Sequence, residues 1–117
     1  MKFRLLRQND KGNVYWMEDS EDSAKLGLIK EEFESEPHQQ IYWIEPLEAC
    51  PGIYAHFKGR YYEVVGVATD TETNENKVVY RALYGSFSLL LRDENMFLEW
   101  IYRDGYRGPR FKLVKKF

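Results

Sequence analysis

One cysteine, two histidines and four prolines among 117 residues leave little room for covalent or metal cross-links. A single thiol, Cys50, forbids an internal disulfide and a multi-cysteine zinc site. His38, His56 and Cys50 match no metal-ligand spacing, and no compact acidic cluster lies beside them in the chain. No apolar run approaches the ~18 residues a bilayer span needs. The basic start, Met1 to Arg7, has no apolar stretch behind it, so a cytoplasmic location is expected rather than export. A glycine-rich phosphate loop is missing. Ser86 and Ser88 flank Phe87 after Gly85, without the glycine spacing and following helix of a nucleophile elbow. A Cys50 nucleophile would need a base and an electropositive setting, with His56 as the candidate base for a thiol in a linker. Asp70, Glu72 and Glu75 fall on a polar loop, where solvation keeps carboxyls ordinary. No catalytic, cofactor-binding or metal-ligating residue is therefore assigned, and no cofactor is expected.

What the chain has in quantity is apolar and aromatic surface. Hydrophobic residues make up 44% and aromatics 16%, ample for a packed core. The pattern divides into two modules. Phe3–Arg7 and Val14–Met17 read as a hairpin around the turn-forming Asn9 to Asn13. Asp19 or Ser20 is the expected cap of an acidic helix, whose buried stripe is Leu26, Ile29 and Phe33 with Leu28 beside it. The helix should end before Pro37, and Gln40–Ile44 forms a third strand. Residues 1–46 are thus a ββαβ module. So short a segment rarely folds alone without disulfide or metal, and is expected to lean on the rest of the chain or on a second copy. Residues 47–51 form a linker between Pro46 and Pro51. From 52 to 117 short strands recur at roughly 10-residue spacing, with turns at Lys58-Gly59, Gly85-Ser86 and Asp104-Gly105 and a helical turn capped by Asp93. The fold class expected is α+β: a ββαβ module followed by a small, mostly antiparallel β-barrel.

Charge follows the same division. Residues 1–48 carry a net −5 and residues 49–117 a net +3, within an overall −2. The last fifteen residues hold Arg103, Arg107, Arg110, Lys112, Lys115 and Lys116 against Asp104. In the strand Lys77–Tyr84, Val78, Tyr80, Ala82 and Tyr84 point one way, and Val79 and Leu83 the other. Both faces are apolar, so the outer face should meet the N-terminal module, a second subunit or a ligand.

Gly52-Ile53-Tyr54, His56-Phe57-Lys58-Gly59, Tyr62-Glu63-Val64, Val79 to Gly85, Met96-Phe97 and Pro109-Arg110-Phe111 occur in order. On these motifs residues 52–113 resemble the bacterial family called domain of unknown function 1653. The resemblance implies a small SH3-like β-barrel and supplies no catalytic residues. Where that family often has Arg-His-Ser-Glu-Thr, this chain has Thr69-Asp70-Thr71-Glu72-Thr73, so the family's histidine has no counterpart here. Through Phe3–Arg7, Asp10–Asn13 and His38–Ile44 the N-terminal module is loosely similar to sporulation-related repeat proteins. It lacks the second α-β unit of a full repeat, and peptidoglycan binding is not carried over.

The expected function is a non-catalytic binding module that takes a protein or peptide partner on an aromatic sheet face. The candidate contact residues are Tyr54, His56, Tyr61, Tyr80, Tyr84, Trp100, Tyr102, Arg103, Arg107 and Arg110. Two alternatives stay open. One is a small-molecule or enzymatic pocket between the modules. The other is weak single-stranded nucleic-acid binding along the basic C-terminal segment, disfavoured by the net acidic chain. A homodimer through the aromatic face or the third strand's edge is a further expectation, and no membrane partner is expected.

Overall fold

The computed structural model describes residues 1–37 and 39–117. They divide into two compact units, Met1–Glu48 and Ala49–Phe117. Among the described residues, no helix is long and apolar enough to cross a membrane.

The first unit is a three-stranded antiparallel sheet in the order β2-β1-β3, with one helix. Its elements are β1 (Lys2–Gln8), β2 (Val14–Ser20), α1 (Ser23–Glu34) and β3 (Ile41–Leu47). Leu5 and Leu6 are buried on adjacent positions of the central strand, beside a bulge where the β1–β2 register shifts. Arg4 is buried as well, and its guanidinium meets the Asp19 carboxylate through two bonds of 2.8 and 3.0 Å. This pairing corrects the expected helix cap. Asp19 is committed to Arg4 inside β2, and the Ser20 hydroxyl accepts the Asp22 N–H. Asp22 then caps α1, accepting from the Lys25 N–H at 3.1 Å. Of the predicted stripe, Leu26 is fully buried, Ile29 half-buried, and Phe33 and Leu28 are exposed. β3 also runs beyond its expected end. Pro46 sits inside it opposite Phe3, which an edge strand permits because a missing N–H can face away from the ladder.

The second unit holds β4 (Gly52–His56), β5 (Tyr61–Thr69), β6 (Asn76–Ala82), β7 (Leu89–Asp93), α2 (Glu94–Phe97), β8 (Trp100–Arg103), β9 (Tyr106–Pro109) and β10 (Phe111–Lys116). Five of these strands form one antiparallel sheet in the order β10-β4-β5-β6-β7. The other two, β8 and β9, form a separate hairpin over the Asp104-Gly105 turn, where both residues take positive φ. No sheet closes into a barrel among the described residues, in contrast to the expectation for 52–117. The chain leaves edge strand β7 through α2, and Phe97 of that turn is buried in the core cluster.

The core lies on one face of this sheet. Tyr54, Tyr62, Val64, Val78, Tyr80, Ala82 and Phe111 are buried there around Phe97. The alternation read in Lys77–Tyr84 is obeyed, with Val78, Tyr80 and Ala82 inward. The outward face stays exposed at Tyr61, Val65, Leu89 and Leu91. Phe97 and Phe111 stack with ring centroids 4.1 Å apart and planes within 6°. At Gly52 the β10 backbone comes so close that an added Cβ would lie 2.4 Å from the Lys115 carbonyl oxygen, so only glycine fits there. Replacing fully buried Phe97 by Ala should cost about 3–5 kcal/mol, from lost contacts and the cavity left behind. Urea unfolding followed through the aromatic signals measures it. A loss below about 1 kcal/mol would mean that Phe97 does not hold the sheet face together.

Candidate functional site

Strand alternation places His56 (β4), Tyr62 (β5), Tyr80 (β6), Arg92 (β7) and Phe111 (β10) on the core face of the sheet. The pairs His56–Phe111, Tyr54–Tyr62 and Val78–Arg92 fix this register. The rings form a continuous array. Tyr62 lies 5.5 Å from Tyr80, from Tyr84 and from Phe111, and His56 lies 4.9 Å from Phe111. Edge-to-face packing of this kind is favourable beyond simple burial.

Cations border the array. Arg92 donates from Nε to the Tyr80 hydroxyl at 3.3 Å and stands 5.7 Å over the Phe111 ring. The Arg60 guanidinium lies 4.4 Å over Tyr84, whose hydroxyl shares a 2.7 Å bond with that of Tyr62. Arg110 reaches Glu99 at 3.2 Å with one terminal nitrogen, but its buried Nε has no hydrogen-bond acceptor among the described residues. Neither Arg60 nor Arg92 has an ion pair there. His56 Nδ1 accepts the Lys58 N–H at 3.1 Å. That bond puts the neutral ring's proton on Nε2, adding a further donor. Among the described residues the array therefore offers many donors and one paired carboxylate, Glu99.

Burial and charge together shift the ionisable groups of the array. His56 is held below its ordinary value of 6.5, first by burial and then by the positive charge of Arg110, Arg92 and Lys58. The Tyr62 hydroxyl is pushed up to about 12, chiefly by burial and then by its bond to Tyr84. Burial also raises Tyr106, whose hydroxyl donates to the Pro109 carbonyl at 2.8 Å.

The expected contact residues separate into four places. Tyr54 and Tyr80 are core residues, 3% and 4% exposed, and so present no sheet surface. The Tyr54 hydroxyl accepts the Cys50 N–H at 3.1 Å and stands 3.5 Å from its Sγ. His56, Tyr84 and Arg110 belong to the array. Trp100, Tyr102, Arg103 and Arg107 belong to the β8–β9 hairpin, where Tyr102 opposite Arg107 is exposed. Tyr61 lies exposed on the other face of the sheet. Arg60, Tyr62 and Arg92 were not among the expected contacts. The alternation of β7 carried a signal for Arg92: it shares the inward face of Leu90, where a charged residue needs a reason.

The three candidate metal ligands do not form a described site. Cys50 bonds Tyr54, His56 packs on Phe57 and Phe111, and His38 lies outside the described residues. Among the described residues no group of three metal-ligating side chains converges. The loop bearing Asp70, Glu72 and Glu75 is a turn in which Asp70 Oδ1 accepts the Glu72 N–H and Asn74 takes positive φ.

The motifs that build the array have counterparts elsewhere. The family profile described as protein of unknown function (DUF1653) matches residues 52–113. The chain belongs to this family. It is also similar to a DUF1653 protein from Bordetella bronchiseptica known by crystal structure. That likeness has 32% identity and a TM-score of 0.54, over 59% of this chain and 91% of that one. No curated protein matches. Of the DUF1653 motif residues, Tyr54, Tyr62, Val64, Tyr80, Phe97 and Phe111 are the core itself, while His56 and Arg110 stand at its polar border.

His56 should titrate below 6.5 by NMR, and Arg92→Gln should move the midpoint up by removing one nearby cation. Because the folded-state value is lowered, His56 has no effect on stability well above pH 6.5. It costs stability as pH falls through 6.5 towards the folded midpoint. A midpoint at or above 6.5 would contradict the cationic, partly desolvated setting.

Proposed function

We propose that the DUF1653 unit is a non-catalytic binding module that takes an acidic peptide or protein segment at its aromatic array. The observation that carries the reading is the run of guanidinium groups at this border. Arg60 and Arg92 lie over rings without an ion pair among the described residues, and Arg110 keeps a buried Nε without an acceptor. Rings and guanidinium groups together suit a carboxylate that arrives with adjoining apolar surface. A donor-rich border with a single carboxylate serves binding better than proton transfer, which favours this reading over an enzyme. An SH3-like classification is part of the same reading. Its support is the strand order, a four-strand meander with the C-terminal strand beside the first. Single-stranded nucleic acid on the hairpin residues Tyr102, Arg103 and Arg107 is the competing occupant.

An NMR titration of the full chain with a Glu- and Tyr-containing peptide decides between them. Signals of His56, Tyr62, Tyr84 and Arg92 should shift saturably, and Arg92→Gln should weaken binding about tenfold, the effect of one charge-assisted hydrogen bond. An unchanged affinity in that variant would remove the proposal. Shifts confined to the hairpin and stronger with a thymidine oligonucleotide would replace it with the nucleic-acid reading.

A further inference from the structure

The first unit lies outside the DUF1653 match and contains a cavity of about 500 Å³. That is within the ~300–1,000 Å³ range of small-molecule clefts. Its floor is the sheet and its roof is α1. From the helix come Ile29 and Phe33, and Phe33 stacks on Tyr42 of β3 with ring centroids 5.8 Å apart. Met17 at the β2 bulge completes the apolar lining.

Two charged residues stand in this otherwise apolar floor. In the ladder Leu5 faces Glu18 and Arg7 faces Tyr15, so Arg7 and Glu18 are diagonal neighbours on one face. Neither has a strong partner of opposite charge. Glu18 Oε2 is shielded from solvent without a hydrogen-bond donor among the described residues, and the Lys25 ammonium approaches only to 3.6 Å. The Lys25 side chain is 57% exposed and that of Glu18 40%, so their pairing is largely solvated. Arg7 gives one terminal nitrogen to the Gln40 side-chain oxygen at 2.8 Å and rests 4.4 Å over Tyr15. It has no ion pair among the described residues. A shielded acceptor and a guanidinium with donors to spare, both lining one apolar cleft, call for a ligand of both charges.

We infer that this cavity binds a small zwitterion with a large apolar side chain, an α-amino acid in chemical class. Its ammonium would bond Glu18 in place of Lys25, its carboxylate would bond Arg7, and its side chain would lie between Met17, Ile29 and Phe33. The geometry uses the first unit alone, so it stands apart from the peptide site of the second.

The test uses the full chain and three compounds: L-phenylalanine, its amide, which lacks the carboxylate, and its N-acetyl derivative, which lacks the ammonium. L-phenylalanine should bind saturably, shifting the methyl signals of Met17 and Ile29 in NMR spectra. The amide and the N-acetyl derivative should each bind about tenfold more weakly, having lost one charge-assisted contact. In Glu18→Gln, L-phenylalanine should weaken by the same factor while the N-acetyl derivative is unaffected. No saturable shift with L-phenylalanine would overturn the inference, and so would equal affinity for the three compounds. Because the compound series is read on the unaltered chain, the result does not depend on Glu18→Gln folding.

Discussion

The contact on which the second unit depends is the stack of Phe97 on Phe111. One ring comes from a single helical turn and the other from the start of the last strand, so the contact joins segments that share no strand pairing. Each ring also meets Tyr80, at 5.4 and 5.6 Å. The core face of the open sheet must be covered, and the Phe97 turn does this together with Ala49, Tyr84, Leu90 and Leu98. The Asp93 cap fixes where that turn begins, accepting the Asn95 N–H at 3.1 Å. The position of the stack in turn sets that of His56 and Arg110, which are carried by Phe111's ladder partner and its chain neighbour.

The polar border follows from the same packing. A guanidinium laid over a ring keeps its charge while burying its flat face, so cations can stand at the edge of an aromatic core without carboxylate partners. Partial burial lowers the local dielectric and makes each of these charges more strongly felt by its neighbours. His56 feels both effects: burial lowers its pKa first, and the charges of Arg110, Arg92 and Lys58 lower it further.

The first unit answers its small size in a different way. It buries a charge on its central strand and satisfies it at once, through the two-bond contact between Arg4 and Asp19 that the Trp16 indole N–H also joins at 2.9 Å. Leaving such a buried charge unpaired costs about 3–5 kcal/mol, so the pair ties strand register to folding. α1 packs on the same unit through Leu26, the one fully buried side chain on the helix.

Local chemistry was legible in the sequence where it is decided locally. β5 spans Tyr61–Thr69 as read, the Asp104-Gly105 turn takes the positive φ values its residues favour, and Asp93 caps α2. The motif string that placed residues 52–113 in their family is local in the same sense. Features fixed by a distant partner were not legible. Asp22 rather than Asp19 caps α1 because Asp19 answers Arg4, fifteen residues away. Pro46 remains in a strand because β3 is an edge, which only sheet order defines. Alternation put Tyr80 on one face with Val78 and Ala82, but it could not say that this face would be the one packed against Phe97. A period of two sorts side chains into two faces; which face is covered, and which cations end beside the rings, is set by contacts between segments far apart in the chain.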